Sequence, residues 1–290
     1  MLALFIAIAI WGSSLPIGKL AYHSFEPVIL VQFRFCIAAF IVLPTFMRCY
    51  RHIASHHYKQ LIWLSFLNYP VVFLLQFIGL KYTSASSAVT MLGLQPLIMV
   101  FVGDLFFKEK TGKFDYFLGL LAFIGIALVV SDDDPNSQID VLGCFLVLAS
   151  TVVFAFTTRW AKAIMKEISP RNYTAITIVL GMLLCLPFTL LLNQQWHFNP
   201  PMIDLIALLY LGIVCSWLAP KIWNSGLPFV SANISSVISA LEPIFGIIFA
   251  ILFLHEKINW KIASGILLVL GVTLVFILHT IRQRTANSHT

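Results

Sequence analysis

Charge is what this sequence has least of. Of its 290 residues, 10% are Asp, Glu, Lys or Arg and 60% are hydrophobic, whereas soluble domains carry about 25% charged residues. So little charge cannot cover a water-exposed surface, which excludes an ordinary soluble domain. Cysteine is sparse too: Cys36, Cys49, Cys144, Cys185 and Cys215 show no metal-ligand spacing and read as small buried hydrophobes. There is no Gly-rich phosphate loop, zinc-ligand spacing or Ser elbow. ATP drive therefore lacks its residues, and no cofactor, metal or catalytic residue is expected. Neither a basic n-region nor a small-residue cleavage site marks the first apolar run, which is expected to stay as a helix. The net charge of +6 invites a nucleic-acid reading, but the basic residues lie in loops between apolar runs, so no nucleic-acid partner is expected.

Apolar runs fill the chain instead, at about 2–22, 27–47, 60–80, 85–107, 115–131, 141–162, 172–192, 203–225, 232–254 and 262–281. Each matches the roughly 20 residues that one helix needs to span a bilayer. The expectation is an all-α membrane protein of ten transmembrane helices, with the lipid bilayer as its surroundings and no room for a soluble catalytic domain. Twelve of the 18 Lys and Arg fall in one set of alternate loops and the tail, four fall opposite, and Arg34 and Lys221 lie within helices. That bias puts both termini in the cytoplasm, although Lys257 and Lys261 run against it.

The chain also repeats itself. From Gly79 to Lys110 it reappears from Gly226 to Lys257 at an offset of 147, with Ser84/Ser231, Ala85/Ala232, Pro96/Pro243, Glu109/Glu256 and Lys110/Lys257 identical. Gln95 is matched by the near-isosteric Glu242, and Lys19, Pro27 and Pro44 match Lys162, Pro170 and Pro187 at an offset of 143. The expected units are residues 1–134 and 135–290. Each unit has an odd number of helices, so the second enters the membrane inverted, an arrangement that puts a transporter's site near the midplane.

Several residues resemble a known family: Trp11-Gly12-Ser13, Arg34-Phe35, the run Gly79 to Ala85, Leu94-Gln95-Pro96, Lys108-Glu109-Lys110, Leu241-Glu242-Pro243 and His255-Glu256-Lys257. Together they resemble the EamA branch of the drug/metabolite transporter superfamily over essentially the whole chain. The resemblance implies a secondary transporter of a small-molecule substrate such as an amino acid, working in export across a bacterial inner membrane.

Charges near the midplane cost at least about 2.5 kcal/mol on insertion scales, so each one inside a run needs a reason. Glu242, beside the helix-breaking Pro243, is the candidate for binding protons or a cationic group; a structural acid is the alternative. Gln95 occupies its repeat-related position. Arg34 and Lys221 could hold a carboxylate, or be a structural cation and a lysine snorkelling to the interface. Trp217 and Trp223 could stack on a substrate or simply pack. Trp11, Ser13 and Ser14 in the first helix, with Asn68, Tyr69 and Gln76 in the third, complete the candidate cavity lining. His52, His56 and His57 read as a solvated basic loop, and Asp132 to Asp134 as solvated acids. Alternatives of another class are an intramembrane enzyme acting on a lipid-linked substrate and a non-transporting subunit. A monomer or weak homodimer is expected.

Overall fold

The computed structural model describes residues 2–107, 112–130, 140–193, 200–229, 238–239 and 241–287. The described residues form helices and turns, with no strand among them. Every backbone N–H and C=O in a hydrocarbon environment needs a partner within its own segment, and apolar runs of this length meet that need as helices. Seven helical stretches are long and apolar enough to cross a membrane: Leu2–Ala21, Pro27–His52, Ser55–Lys81, Val141–Ile164, Pro170–Leu192, Met202–Phe229 and Trp260–His279, with Glu242–Leu254 a shorter apolar helix.

In chain order the helices are α1 (Leu2–Ala21), α2 (Pro27–Cys49), α3 (Tyr58–Phe66), α4 (Val72–Lys81), α5 (Ala85–Leu92), α6 (Gln95–Phe107) and α7 (Lys113–Val130). There follow α8 (Val141–Ile164), α9 (Pro170–Leu192), α10 (Met202–Tyr210), α11 (Ala219–Gly226), α12 (Glu242–Leu254) and α13 (Trp260–Asn287). Their starts are written in the sequence. Pro27 and Pro170 stand in first helical turns, where a missing N–H costs nothing. The Ser84 side chain accepts from Ser87 N, and Asp140 Oδ1 accepts from Leu142 N at 2.9 Å, both as N-caps.

Three runs are less regular than ten simple spans. α3 passes into α4 through a π-helical turn at Leu67–Val71, which contains Pro70, and α10 passes into α11 through another at Leu211–Leu218, just ahead of Pro220. A proline inside a helix removes a donor and crowds the preceding carbonyls, and a wider turn relieves both. The run at 85–107 breaks at Gly93-Leu94 into α5 and α6. Most of its apparent repeat partner before Glu242, together with Lys108-Glu109-Lys110 and Asp132 to Asp134, lies outside the described residues.

Packing pairs α7 with α13, α2 with α9, α1 with α12, α4 with α8, and α5 with α12. Glycines set the closest approaches. A Cβ on Gly12 would lie 2.7 Å from Phe245 Cβ and 2.9 Å from the Glu242 carbonyl oxygen, so α1 rests on the backbone of the first turn of α12. Gly79 and Gly143 bring α4 and α8 together in the same way, each Cβ position 2.7 Å from the other's carbonyl oxygen. Small residues at such crossings are how apolar helices gain contact where lipid competes for the same surface. Between α2 and α9 the buried Gln32 accepts from Thr189 Oγ1 at 3.2 Å and donates to the Met182 carbonyl at 3.4 Å. Outward faces carry Phe40, Leu183, Leu190, Leu267 and Leu274, all exposed.

Candidate functional site: a polar cavity in the helix bundle

α1, α2, α4, α5, α8, α9 and α11, with both π-helical turns, enclose one cavity, and residues at the starts of α6 and α12 reach it too. Its polar lining comes from Ser14, Asn68, Tyr69, Gln76, Gln95, Thr151, Thr158, Tyr173, Ser216, Asn224 and Glu242. Its aromatic lining comes from Trp11, Phe35, Phe73, Phe154 and Trp223. Trp11 and Trp223 meet at 5.4 Å between ring centroids, and Trp11 Nε1 donates to the Cys215 carbonyl at 3.2 Å. That bond uses a carbonyl inside the π-helical turn, so the distortion that frees it also fixes the indole. Tyr69 OH and Thr177 Oγ1 lie 3.2 Å apart, and Asn224 donates to Thr174 Oγ1 at 2.9 Å. The Asn68 carbonyl oxygen is buried with no partner.

Glu242 is the acid in this lining, and no Lys, Arg or His among the described residues lies within 4.0 Å of its carboxylate. It stands in the first turn of α12, directly before Pro243. Helix N-termini favour negative charge, which gives the carboxylate a reason to sit there without a cationic partner. Gln95, at the repeat-related position, opens α6 and lines the same cavity.

The cavity is off-centre. Along α1 its lining stops at Leu15, along α4 at Gln76, and along α5 it begins only at Leu92. Beyond these residues lies a polar cluster. Glu256 accepts from Ala85 N at 2.7 Å and Ser86 N at 3.0 Å, capping α5. Lys19 Nζ donates to the Thr83 carbonyl at 2.6 Å, 4.0 Å from the same carboxylate. Glu256 follows His255, whose φ of 52° makes it the positive-φ non-glycine residue of the described chain. A left-handed histidine is a local cost that its surroundings must hold in place. At the opposite end the lining continues to Ala161, Tyr173, Asn224 and Leu227, close to the ends of α8, α9 and α11.

Of the candidates read from sequence, Trp11, Ser14, Asn68, Tyr69, Gln76, Gln95, Trp223 and Glu242 come together in this lining, while Ser13, Arg34, Trp217 and Lys221 lie outside it. Ser13 is buried behind Ser14 and lies 2.9 Å from Tyr210 OH. Lys221 is exposed, with Nζ 5.0 Å from the Trp217 ring centroid. The helical rotation that carries Trp223 into the cavity turns Lys221 outward and leaves Trp217 half-buried against the core. Arg34 is fully buried just behind the wall, its Nε 2.6 Å from Ser216 Oγ and its Nη1 3.3 Å from Ser14 Oγ. Nothing in the sequence reading had drawn on α8, yet Thr151, Phe154, Thr158 and Ala161 all line the cavity. Their spacing of three, four and three is one helical face, and that periodicity was the available signal.

One loop differs from expectation. His57 is buried rather than solvated, with Nε2 3.1 Å from Glu167 Oε2 and His56 Nε2 4.0 Å from the same oxygen. The turn after α8 covers the start of α3 here and brings three ligand-type atoms within 4.8 Å of one another.

Comparison with known proteins agrees with this architecture. A solved protein structure superposes with a TM-score of 0.68 at 16% identity, covering 97% of each chain. An Archaeoglobus fulgidus protein described as an uncharacterized transporter is 28% identical, over 94% of this chain and 96% of its own. One from Haemophilus influenzae with the same description is 44% identical over 49% of this chain and 85% of its own. The EamA-like transporter family matches residues 1–131 and 141–278, and this chain is a multi-pass membrane protein belonging to that family.

Proposed function

We propose that this protein is a secondary transporter that moves a small metabolite, of the amino-acid class, by alternating access around this cavity. The observation that carries the reading is the cavity itself: an apolar and aromatic space set with polar side chains, holding Glu242 with no cationic partner among the described residues, bounded at one end by the Lys19–Glu256 cluster and reaching toward the other. A solute taken up there would meet hydrogen-bonding groups, stacking surfaces and a carboxylate. Glu242 binds either the substrate's amine or a coupling proton.

The architecture in this proposal is ten spans in two inverted units, residues 1–134 and 135–290. Support comes from the two π-helical turns, at Leu67–Val71 and Leu211–Leu218, which fall at corresponding places in the two halves. The packing pairs support it as well, because α2 with α9 and α7 with α13 each join helices that correspond in the sequence repeat. With the charge-based orientation, both termini are cytoplasmic and the cavity extends toward the cytoplasm, the loading side for export across an inner membrane. One chain holds both units, so a monomer suffices.

Flux of a panel of labelled amino acids and organic cations into and out of proteoliposomes tests this reading. Saturable flux that disappears in Thr158→Trp, which fills the cavity, is the expected result, provided the variant elutes as a folded protein. Flux that persists in that variant would put the route elsewhere.

A further inference from the structure

Arg34 poses a problem that the cavity resolves. Its guanidinium is fully buried inside the bundle, yet no carboxylate among the described residues lies within 4.0 Å of it. The plane is held by aromatic faces, with Phe73 and Phe77 centroids both 4.9 Å from Cζ. Its Nη2 is buried with no partner. Two of its other nitrogens donate to Ser216 Oγ and Ser14 Oγ, at 2.6 and 3.3 Å. Both serines, themselves buried, are among the residues that line the cavity. A serine oxygen that accepts from an arginine still has its own proton to give. Among the described residues, Ser216 gives that proton to no nitrogen or oxygen acceptor, and Ser14 has the Cys215 sulfur in hydrogen-bond reach, a weak acceptor that a carboxylate would displace. The cation behind them strengthens each as a donor, because hydrogen bonds in a chain polarise one another, most of all in a low-dielectric interior.

We propose that Ser14 and Ser216 form a carboxylate-binding subsite, charged from behind by Arg34, so that the substrate class is an amino carboxylate with its amine toward Glu242. This rests on the transporter reading above and assigns the two ends of its substrate. Arg34 acts here as a positioning residue: it stays packed on its aromatic rings while the serines touch the ligand. The arrangement gives the buried cation an anionic partner only when substrate is bound. It also accounts for the lack of a carboxylate beside it among the described residues.

The test uses the full chain in nanodiscs and matched probe pairs: leucine with isopentylamine, tryptophan with tryptamine, and lysine with cadaverine. Binding is read by thermal stabilisation. In at least one pair the amino acid should bind about tenfold or more tightly than its decarboxylated amine, the size expected for hydrogen bonds to a charged group. In Ser14→Ala/Ser216→Ala that preference should fall toward unity. Should the double variant not fold, Ser14→Ala alone should lower the preference and Ser216→Thr, which keeps the hydroxyl, should retain it. Amines that bind as well as their parent acids, or a preference that survives loss of the hydroxyls, would overturn the subsite and leave the transporter reading standing. No response to any pair would overturn the subsite, and absence of flux across the whole solute panel would take the transporter reading with it.

Discussion

Single residues divide here into those that face the cavity and those that support its wall, and sequence alone separated them unevenly. Glu242, Gln95, Asn68, Tyr69 and Gln76 were legible because polar groups within apolar runs need a reason to be there. Trp217, Trp223 and Lys221 draw the same attention, but helix rotation decides which of them faces in, and it is Trp223. Two variants separate these roles. Lys221→Ala, at an exposed position, should leave the melting temperature and substrate affinity of the purified protein as in wild type. Arg34→Ala removes a fully buried side chain that bridges α1, α2 and the second π-helical turn. It should cost about 2–4 kcal/mol, as large-to-small changes in packed interiors do, visible as a drop of several degrees in a thermal melt. Equal behaviour of the two would contradict the placement of both.

Elements carry the next level, and here the helix breakers mattered more than the apolar runs. The runs at 60–80 and 203–225 look continuous by hydropathy, but Pro70 and Pro220 accompany π-helical turns, and those turns supply Asn68, Tyr69 and Ser216 to the cavity. The sequence marks the prolines without revealing the geometry, since a proline can equally kink or end a helix. Close approach at Gly12 was legible only as a small residue. The structure makes it the seat of α12, and Gly12→Leu should separate α1 from α12 and reduce folded yield sharply, as measured by size-exclusion chromatography. The cluster bounding one end of the cavity makes a further prediction. Glu256→Ala leaves the Ala85 and Ser86 N–H groups without their cap, at a cost of about 1 kcal/mol or more. A cysteine introduced by Gln76→Cys, deep in the cavity, should then react faster with an impermeant thiol reagent applied from that end. Unchanged labelling would mean that the cluster does not close the cavity.

At the scale of the whole molecule, composition was enough for the class. A chain with so few charges, whose helices expose Phe40, Leu190 and Leu267, satisfies its backbone internally and leaves its outer surface to lipid. The internal repeat singled out Gln95 and Glu242 as a corresponding pair, and both line the cavity. It said nothing about the contribution of α8, whose lining residues are mostly unremarkable hydroxyl and small side chains. The proposed orientation rests on the distribution of Lys and Arg: a C-terminal green fluorescent protein fusion should fluoresce, as it does when the terminus is cytoplasmic, and a dark fusion with alkaline phosphatase activity in its place would invert the molecule. The most direct test of the account is solute flux in proteoliposomes across a pH series, comparing wild type with Glu242→Gln. The account predicts saturable flux whose pH dependence is flattened, or whose substrate affinity is lost, once the acid becomes an amide. Flux identical in both proteins at every pH would contradict the placement of Glu242 at the centre of transport.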